Sequence, residues 1–210
     1  MNYSYIAIEG NIGAGKTSLA SSLARRNNAR LILEQFEDNS FLPKFYKEPD
    51  RYAFPLELTF LAERYQQLKD KLSAGDLFSP LVIADYFIDK SLIFARNNLR
   101  DDEFALYSRL FSIISGTLPR PGKIVYLFLG VDNLMLNIEK RGREYEKLIK
   151  KEYLENIQNQ YLTHFRKLSD CPILIVDTNN LDFVNNEEDL FRIEEVIFRD
   201  YPIGLHPLIL

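Results

Sequence analysis

A glycine-rich motif near the amino terminus constrains the fold of this chain more than any other feature. Residues 10–17 read GNIGAGKT and match the pattern G-x-x-x-x-G-K-[ST]. Glycines allow the backbone to curl so that successive N–H groups point inward and surround phosphate oxygens. The pattern has this meaning only between a strand and a helix, and the apolar segment 5–8 and the helical segment 16–27 predict that context. The sequence therefore predicts a phosphate-binding loop at the carboxyl end of a strand.

Each part of the predicted loop has a chemical role. The backbone and Lys16 are expected to hold the β- and γ-phosphates of ATP, and the Thr17 hydroxyl is expected to ligate Mg²⁺. The helix that begins near Lys16 adds the positive end of its dipole. A glycine-rich turn without a ligand is the alternative, and the flanking strand and helix argue against it. The predicted nucleotide-binding residues are Gly10, Asn11, Ile12, Gly13, Ala14, Gly15, Lys16, Thr17 and Ser18.

Short apolar runs alternate with helix-length segments along the whole chain. Continuous apolar runs of this length are typical of strands in parallel sheets that helices cover on both faces. The alternation predicts a three-layer α/β fold, with a doubly wound, five-stranded parallel sheet in a single domain of residues 1–210. Strands are predicted at 5–8, 31–33, 81–84, 124–129 and 173–176, and helices at about 16–27, 52–73, 102–117, 132–141, 147–168 and 187–200.

Two acidic residues follow predicted strands, where folds of this kind bind their ligands. Glu34 comes after the second strand and Asp85 after the third, and the carboxyl ends of parallel strands meet at one edge of the sheet. GTPases carry an N-K-x-D motif, which the sequence lacks. Motor ATPases usually place an acidic pair, rather than a single acid, after a long apolar strand. The sequence therefore favours a kinase that acts on a small molecule.

The composition of the chain indicates which classes of partner it binds and in which cellular compartment it works. The formal net charge of −4 is unlike that of proteins that neutralise the phosphates of a nucleic acid. Cys171 is the one cysteine, so a disulfide framework is excluded, which suits a reducing compartment. Apolar runs such as 124–129 are too short to span a membrane, and the first predicted strand leaves no room for a leader peptide. We expect a cytoplasmic protein that binds neither nucleic acid nor membrane.

Three further segments resemble those of a known family. Residues 34–39 (EQFEDN), 45–54 (FYKEPDRYAF) and 141–143 (RGR) closely resemble deoxyribonucleoside kinases, nearest to the bacterial deoxyguanosine and deoxyadenosine kinases. The resemblance covers nearly the whole chain, with the motifs in the same order and at similar spacings. It implies a P-loop NTPase fold and ATP-dependent 5′-phosphorylation of a deoxyribonucleoside. It also implies a homodimer, paired through the helices near 52–73 and 102–117.

The resemblance assigns roles to residues around the predicted phosphate site. Glu34 matches the general base that accepts the proton of the substrate 5′-hydroxyl. Asp85 matches an acid that helps to hold Mg²⁺ at the substrate. The family usually has an arginine directly after this acid, where this chain has Tyr86. Lys90 or Arg64 is therefore expected to supply the missing positive charge.

The resemblance also implies a lid of about residues 137–146. Arg141 and Arg143 match arginines that close over the phosphates, where they stabilise negative charge and exclude water. Two further lid arginines of some relatives are Asn137 and Glu139 here. We therefore expect a lid that is less basic than the richest versions.

A pair of residues is implied to bind the sugar. Tyr46 and Glu146 match the pair that hydrogen-bonds the sugar 3′-hydroxyl. A tyrosine beside the 2′-carbon leaves little room for a 2′-hydroxyl, so the resemblance favours deoxyribose. The alternative for Tyr46 is an aromatic residue of the core.

The preferred base is expected to depend on Glu57 and Arg64. They are seven residues apart on the predicted helix 52–73, so they share a face with Phe60 and Leu61. Many family members have a glutamine at the position of Glu57. A carboxylate only accepts, and guanine offers N1–H beside its N2 amino group, while Arg64 is expected to donate to O6 and N7. The alternative is a pair of solvated surface charges.

Deoxyguanosine is therefore the predicted substrate, with deoxyadenosine or a broad range of deoxynucleosides as the alternative. Two more distant functions stay open. One is a nucleoside monophosphate kinase, which would need a basic clamp for the phosphate of its acceptor. The other is a nucleotide-binding switch without catalytic activity.

Overall fold

A parallel sheet forms the centre of the fold. The computed structural model describes residues 4–35, 39–73 and 81–210. Within these ranges the strands are β1 (Tyr5–Gly10), β2 (Arg30–Ile32), β3 (Val82–Ala84), β4 (Lys123–Phe128), β5 (Pro172–Asp177) and β6 (Gly204–Ile209). Their order is β2-β3-β1-β4-β5-β6, and each neighbouring pair is parallel. The chain thus extends the sheet in both directions from β1, and folds of this kind bind ligands where the order reverses.

Helices cover both faces of the sheet. Alternate residues of a strand point to opposite faces, so Ile6 and Ile8 belong to one hydrophobic core and Ala7 to the other. The helices of the described residues are α1 (Lys16–Arg26), α2 (Leu42–Lys47), α3 (Pro49–Ser73), α4 (Lys90–Asn98), α5 (Asp101–Ser115), α6 (Val131–Arg141), α7 (Lys151–Phe165) and α8 (Glu187–Phe198), with a 3₁₀ helix at Glu144–Leu148. The predicted three-layer α/β fold is confirmed.

The sheet has one strand more than the five predicted. β6 pairs in parallel with β5 over its whole length, and its residues alternate between partly buried and exposed. Pro207 is tolerated because a strand at the edge of a sheet has one side whose N–H groups need no partner. The role of the apolar tail 205–210 could not be read from the sequence, and in the structure the tail pairs with β5 while Leu208 and Leu210 pack against a hydrophobic core.

The predicted helices agree with the observed ones to within about four residues at each end. The largest difference is at 147–168, where α7 begins only at Lys151, after the separate 3₁₀ helix. α2 and α4 were not predicted, because helices of six and nine residues are too short to show a clear apolar period. Across residues 4–35, 39–73 and 81–210, no helix combines the length and apolar character needed to cross a bilayer.

Candidate active site

The phosphate loop connects β1 to α1 with the backbone geometry that its motif requires. Gly13 and Gly15 have φ angles of 85° and 86°, in the left-handed region that favours glycine. A Cβ atom at Gly13 would lie 2.8 Å from the carbonyl oxygen of Leu134, and one at Gly15 would lie 2.8 Å from Cζ of Phe183. Both positions therefore require glycine for conformational and for steric reasons.

Residues of the loop divide between those that face the ligand cavity and those that support the loop. Asn11 is buried, and its side-chain amide donates to the carbonyl oxygen of Leu154 at 2.7 Å, which fastens the loop to α7. Gly10 and Ala14 likewise pack against the protein interior. The predicted loop residues that line the cavity are Ile12, Gly13, Gly15, Lys16, Thr17 and Ser18.

The loop opens into a cavity of about 860 Å³. Its walls come from the carboxyl ends of β2 and β3, from α2, α3 and α4, and from the segment after α6. Every predicted site residue except Gly10, Asn11 and Ala14 lines this cavity. Residues that lie far apart in the sequence thus share one enclosure of a size typical for small-molecule sites.

Glu34 lies between two buried cations in this cavity. Its Oε1 accepts a hydrogen bond from Nε of Arg64 at 2.8 Å and lies 2.7 Å from Nη2 in the same ion pair, and its Oε2 accepts a hydrogen bond from Nζ of Lys90 at 2.5 Å. Burial raises the pKa of Glu34, but Lys90 and Arg64 outweigh burial and lower it to about 2. Glu34 is therefore an ionised acceptor throughout the neutral pH range.

Both residues expected to replace the family's arginine thus supply positive charge to Glu34. Tyr86, which stands at the position of that arginine, has a different role. Its hydroxyl donates to Oε1 of Gln67, whose Nε2 donates to the carbonyl oxygen of Leu33 at 2.8 Å. Tyr86 therefore braces the backbone directly before Glu34.

Thr17 and Asp85 present oxygen atoms next to each other beside the phosphate loop. The hydroxyl of Thr17 donates to Oδ2 of Asp85 at 2.6 Å, and Oδ1 of Asp85 accepts from the backbone N–H of Glu34 at 2.7 Å. Mg²⁺ in such sites takes one or two protein oxygens and completes its shell with phosphates and water. This pair fits that requirement, whereas the described residues contain no cluster of three His, Cys, Asp or Glu side chains for an all-protein metal site.

Lys16 lies in a strongly charged part of the cavity. Its Nζ donates to the carbonyl oxygen of Asn11 at 2.8 Å. Burial and the charge of Lys90 lower the pKa of Lys16 to about 8, although nearby carboxylates act in the opposite direction. An anion bound here would relieve the repulsion between the two ammonium groups, so the site is electrostatically prepared for phosphate.

The predicted lid begins where α6 ends. Gly142 terminates α6 in the left-handed conformation, with φ 73°. Asn137, at the position of an arginine in some relatives, donates through Nδ2 to the carbonyl oxygen of Gly13 at 2.8 Å, while Glu139 is exposed. The helix that carries the predicted lid is therefore hydrogen-bonded to the phosphate loop itself.

The two lid arginines line the cavity, and both contact Glu146. Arg141 donates through Nε and Nη2 to the two carboxylate oxygens of Glu146 at 3.0 and 2.7 Å. Arg143 donates through Nη1 to Oε1 of Glu146 at 3.4 Å. The carboxylate of Glu146 thus holds both guanidinium groups at the edge of the cavity.

Tyr46, the predicted partner of Glu146 at the sugar, lies in an aromatic wall. Its ring stacks on that of Tyr145, with centroids 6.2 Å apart and planes inclined by 10°, and packs against Phe45 and Tyr153. Burial, together with Tyr153 and Glu146, raises the pKa of Tyr46, so its hydroxyl keeps its proton. Tyr46 and Glu146 both line the cavity, and a shared contact with a sugar stays a prediction.

Glu57 carries a buried carboxyl group with one unused oxygen. The residue is 1% exposed, and its Oε1 accepts from Nδ2 of Asn98 at 2.7 Å. Its Oε2 is buried without a hydrogen-bond partner among the described residues. Burial raises the pKa of Glu57 to about 7, against the opposing effects of Arg64 and Asn98.

Arg64 lines the same cavity as Glu57, and both residues are buried. At 4% and 1% exposed, the two residues are not the solvated surface charges of the alternative interpretation. The guanidinium of Arg64 lies 4.6 Å from the ring centroid of Phe60 and donates through Nη1 to Ser91 at 2.9 Å. Nε and Nη1 of Arg64 are thus engaged and Nη2 lies in the ion pair with Glu34, which limits the N–H groups left for the predicted contact with a base. Leu61, expected beside Phe60, is buried in the core instead.

The cavity residues that were not among the predicted site residues include Asn98, Tyr145 and Tyr153. Asn98 ends α4, a helix that was not predicted, and its contact with Glu57 spans 41 positions of the sequence. Tyr145 and Tyr153 come soon after the segment 141–143 in the sequence. This proximity to the predicted lid was the one feature of the sequence that could have indicated them as site residues. Residues 36–38 of the motif EQFEDN lie outside the described residues.

Comparison with known proteins identifies relatives of this chain by sequence and by fold. The sequence profile described as "Deoxynucleoside kinase" matches residues 6–200. The chain is 39% identical to the deoxyguanosine kinase of Bacillus subtilis (strain 168) over 193 residues, covering 90% of this chain and 93% of that protein. It is 29% identical to the deoxyadenosine/deoxycytidine kinase of the same strain over 198 residues, covering 92% and 91%. A structure of deoxyadenosine kinase from M. mycoides with bound dATP superimposes with a TM-score of 0.79 at 23% identity, covering 93% of this chain and 100% of that one.

Proposed function

The chain belongs to the deoxynucleoside kinase family, and on that premise we propose that it transfers the γ-phosphoryl group of ATP to the 5′-hydroxyl of deoxyguanosine. The observation that carries the choice of base is the buried carboxyl group of Glu57, whose Oε2 has no hydrogen-bond partner in the described part of the chain. Guanine presents N1–H and an amino group to such an acceptor, whereas adenine presents a lone pair at N1. An unpaired buried carboxylate is costly, so the base that completes it is favoured.

Glu34 is the proposed general base. It is ionised at neutral pH, and Arg64 and Lys90 fix both of its oxygens in place. A carboxylate with so low a pKa does not remove a proton from a free alcohol. It accepts the proton as the 5′-oxygen bonds to phosphorus and becomes acidic, a contribution of roughly 10²–10⁴ in rate.

Cationic groups around the phosphate loop are proposed to bind the transferred phosphoryl group. The loop N–H groups and Lys16 hold the phosphates, and Arg141 and Arg143 close over them by leaving Glu146. Thr17 and Asp85 would hold a Mg²⁺ ion, which neutralises charge on the β- and γ-phosphates when bound. Positioning and charge stabilisation are the main tasks of a phosphoryl-transfer site, and these residues supply both.

Glu57 and Glu34 are proposed to contact the two ends of one bound nucleoside. Glu57 and Arg64 are seven residues apart on α3, which is about 10 Å along the helix axis. Glu34, bound to Arg64, is linked through its backbone N–H to Asp85 and thereby to Thr17 of the phosphate loop.

The aromatic wall supports deoxyribose as the sugar. Tyr46 is flanked by Phe45, Tyr145 and Tyr153, and aromatic faces would pack against a 2′-carbon without serving a 2′-hydroxyl. Glu146 is proposed to bind the 3′-hydroxyl together with Tyr46 once Arg141 has turned to the phosphates. The ribonucleoside should therefore be the poorer substrate.

A homodimer is proposed on the basis of the family resemblance. Support comes from α5, where Leu106 and Ile113 are 51% and 73% exposed and lie two turns apart on one face. Contiguous exposed apolar side chains of this kind often belong to an interface.

Cys171 is a buried free thiol, which accords with the expected cytoplasmic location.

A single assay separates the proposed activity from its alternatives. We expect ATP-dependent 5′-phosphorylation of deoxyguanosine in preference to the other three deoxynucleosides at equal concentration, with Lys16→Ala, which should bind ATP more weakly, as the control of reduced activity. Phosphorylation of a nucleoside monophosphate but of no nucleoside would identify a monophosphate kinase. Arg64 and Lys90 argue against this, because they could hold an acceptor phosphate only by leaving Glu34. ATP binding without transfer to any acceptor would identify a switch and refute the proposal.

A further inference from the structure

Asn98 fixes the orientation of the Glu57 carboxyl group. The side-chain amide of Asn97 donates through Nδ2 to Oδ1 of Asn98 at 2.9 Å. This contact directs Nδ2 of Asn98 toward Glu57, where it donates to Oε1 at 2.7 Å. Oε1 is therefore required as an acceptor, and any proton on this carboxyl group resides on Oε2.

Oε2 is the oxygen of this carboxyl group that is left for a ligand. Glu57 lines the cavity and is 1% exposed, and the part of the chain that the structure describes offers Oε2 no hydrogen-bond partner. Phe60, one turn along α3, lines the same cavity. A buried polar atom without a partner is rare in folded proteins, and a ligand atom is a common reason for one.

We propose that the Glu57 carboxyl group reads position N1 of a purine in two states, accepting from N1–H of guanine when ionised and donating from Oε2–H to N1 of adenine when protonated. The preference between the two purines then depends on pH. This inference rests on the proposed function, because it concerns the same cavity and the same substrates.

The surroundings of Glu57 leave both states accessible near neutral pH. Groups with charges or titratable protons face it from several elements: Arg64 on α3, Glu34 after β2, Lys90 on α4, Tyr107 on α5 and Tyr153 on α7. Burial outweighs the cations, which are already paired with Glu34, and raises the pKa of Glu57 to about 7. Both tyrosines have a raised pKa and stay neutral. A single proton on Oε2 is therefore the change expected between pH 6 and pH 8.

The test measures kcat/KM for deoxyguanosine and for deoxyadenosine on the same enzyme between pH 6 and pH 8. If each purine uses one state, the ratio of the two values follows the ratio of carboxylate to carboxylic acid. It should then rise about tenfold per pH unit in favour of deoxyguanosine, about a hundredfold over the range. Titrations that affect both substrates alike, such as those of Lys16 or of the phosphates, cancel in this ratio. A change of less than about threefold would overturn the proposal.

Two analogues identify the atom that is read. Deoxyinosine keeps N1–H without the 2-amino group, and its pH dependence should follow that of deoxyguanosine at a lower rate. The 2,6-diaminopurine deoxyribonucleoside has the amino group but a lone pair at N1, and it should follow deoxyadenosine. If the diaminopurine followed deoxyguanosine instead, the 2-amino group would be the contact and N1 reading would be wrong.

Two variants test the residues. Glu57→Gln should make the ratio independent of pH and shift it toward deoxyadenosine, because an amide keeps its donor and its acceptor at every pH. Asn98→Ala removes a hydrogen bond that stabilises the carboxylate, so the pH at which kcat/KM for deoxyguanosine reaches half its plateau should rise. A purely structural Asn98 would lower kcat/KM without moving that pH. A constant ratio in an enzyme that phosphorylates deoxyguanosine well would refute this inference alone, whereas phosphorylation of no deoxynucleoside would refute the proposed function.

Discussion

Replacement of Glu57 by glutamine is expected to stabilise the folded protein at pH 8 much more than at pH 5. Burial raises the pKa of this carboxyl group from an ordinary 4.5 to about 7. A group whose pKa is raised by folding favours the native state below its unfolded pKa and loses that contribution as the pH rises through its folded pKa. Ionised Glu57 therefore weakens the fold at alkaline pH, and the uncharged amide does not.

The magnitude follows from the two pKa values. Between them the native protein holds one proton more than the unfolded chain, so stability falls by about 1.4 kcal/mol per pH unit. Summed from pH 5 to pH 8, the wild type loses about 2.5 kcal/mol through this group alone. Glu57→Gln should recover most of that amount, as an increase in the free energy of unfolding at pH 8 relative to its value at pH 5.

Urea denaturation followed by far-UV circular dichroism measures this difference, since the chain has no tryptophan for fluorescence. Glu155→Gln on α7 is the matched control, because it makes the same change of charge at an exposed position. If the gain of Glu57→Gln at pH 8 over pH 5 lies within about 0.5 kcal/mol of that control, Glu57 is not the buried, ionising carboxyl group described above. Because the readout is stability, the result does not depend on whether the enzyme is active.

Three further predictions concern the phosphate end of the site. Glu34→Gln should preserve ATP binding and lower kcat by roughly 10²–10⁴, and a variant that retains more than about a third of the wild-type kcat would contradict its role as general base. Lys16→Ala should mainly raise KM for ATP, whereas Arg141→Ala should mainly lower kcat, because the lid acts on closure; a kinetically silent Arg141→Ala would exclude the lid mechanism. Lys90→Met removes the cation on Oε2 of Glu34, so the pKa of Glu34 should rise and the acid limb of the pH–kcat/KM profile should move to higher pH, while an unmoved limb would show that Lys90 does not control this carboxylate.

The phosphate site could be predicted from the sequence because its information is local. Eight consecutive residues specify the loop, and the strand before it and the helix after it follow from the apolar pattern of adjacent segments. Glu34 and Asp85 could be placed near the loop for a similar reason, since residues after parallel strands meet at one edge of the sheet. The predicted end of the helix 132–141 agrees with the end of α6, which Gly142 follows, because glycine is the usual residue for a left-handed helix end.

The side chains that pair with the site residues could be identified only from the tertiary structure. Lys90 reaches Glu34 across 56 positions of the sequence, and Asn98 reaches Glu57 across 41. No local pattern encodes such pairs, because they form only when α3 and α4 pack together over the end of β2. The same holds for Arg64, whose guanidinium was assigned to a base from its position on the helix and is ion-paired with Glu34 in the fold.

The chain by itself thus determined the α/β class, the phosphate loop and the identity of the chemical groups at the ends of the strands. The tertiary structure decided the strand order, the addition of β6 to the edge of β5, and the charge states of Glu34 and Glu57. Charge state is a property of surroundings: Glu34 and Glu57 are the same residue type in one cavity, yet paired cations lower the pKa of the first to about 2 and burial raises that of the second to about 7. Only packing, which sets the distance to each cation and the access of water, separates the two.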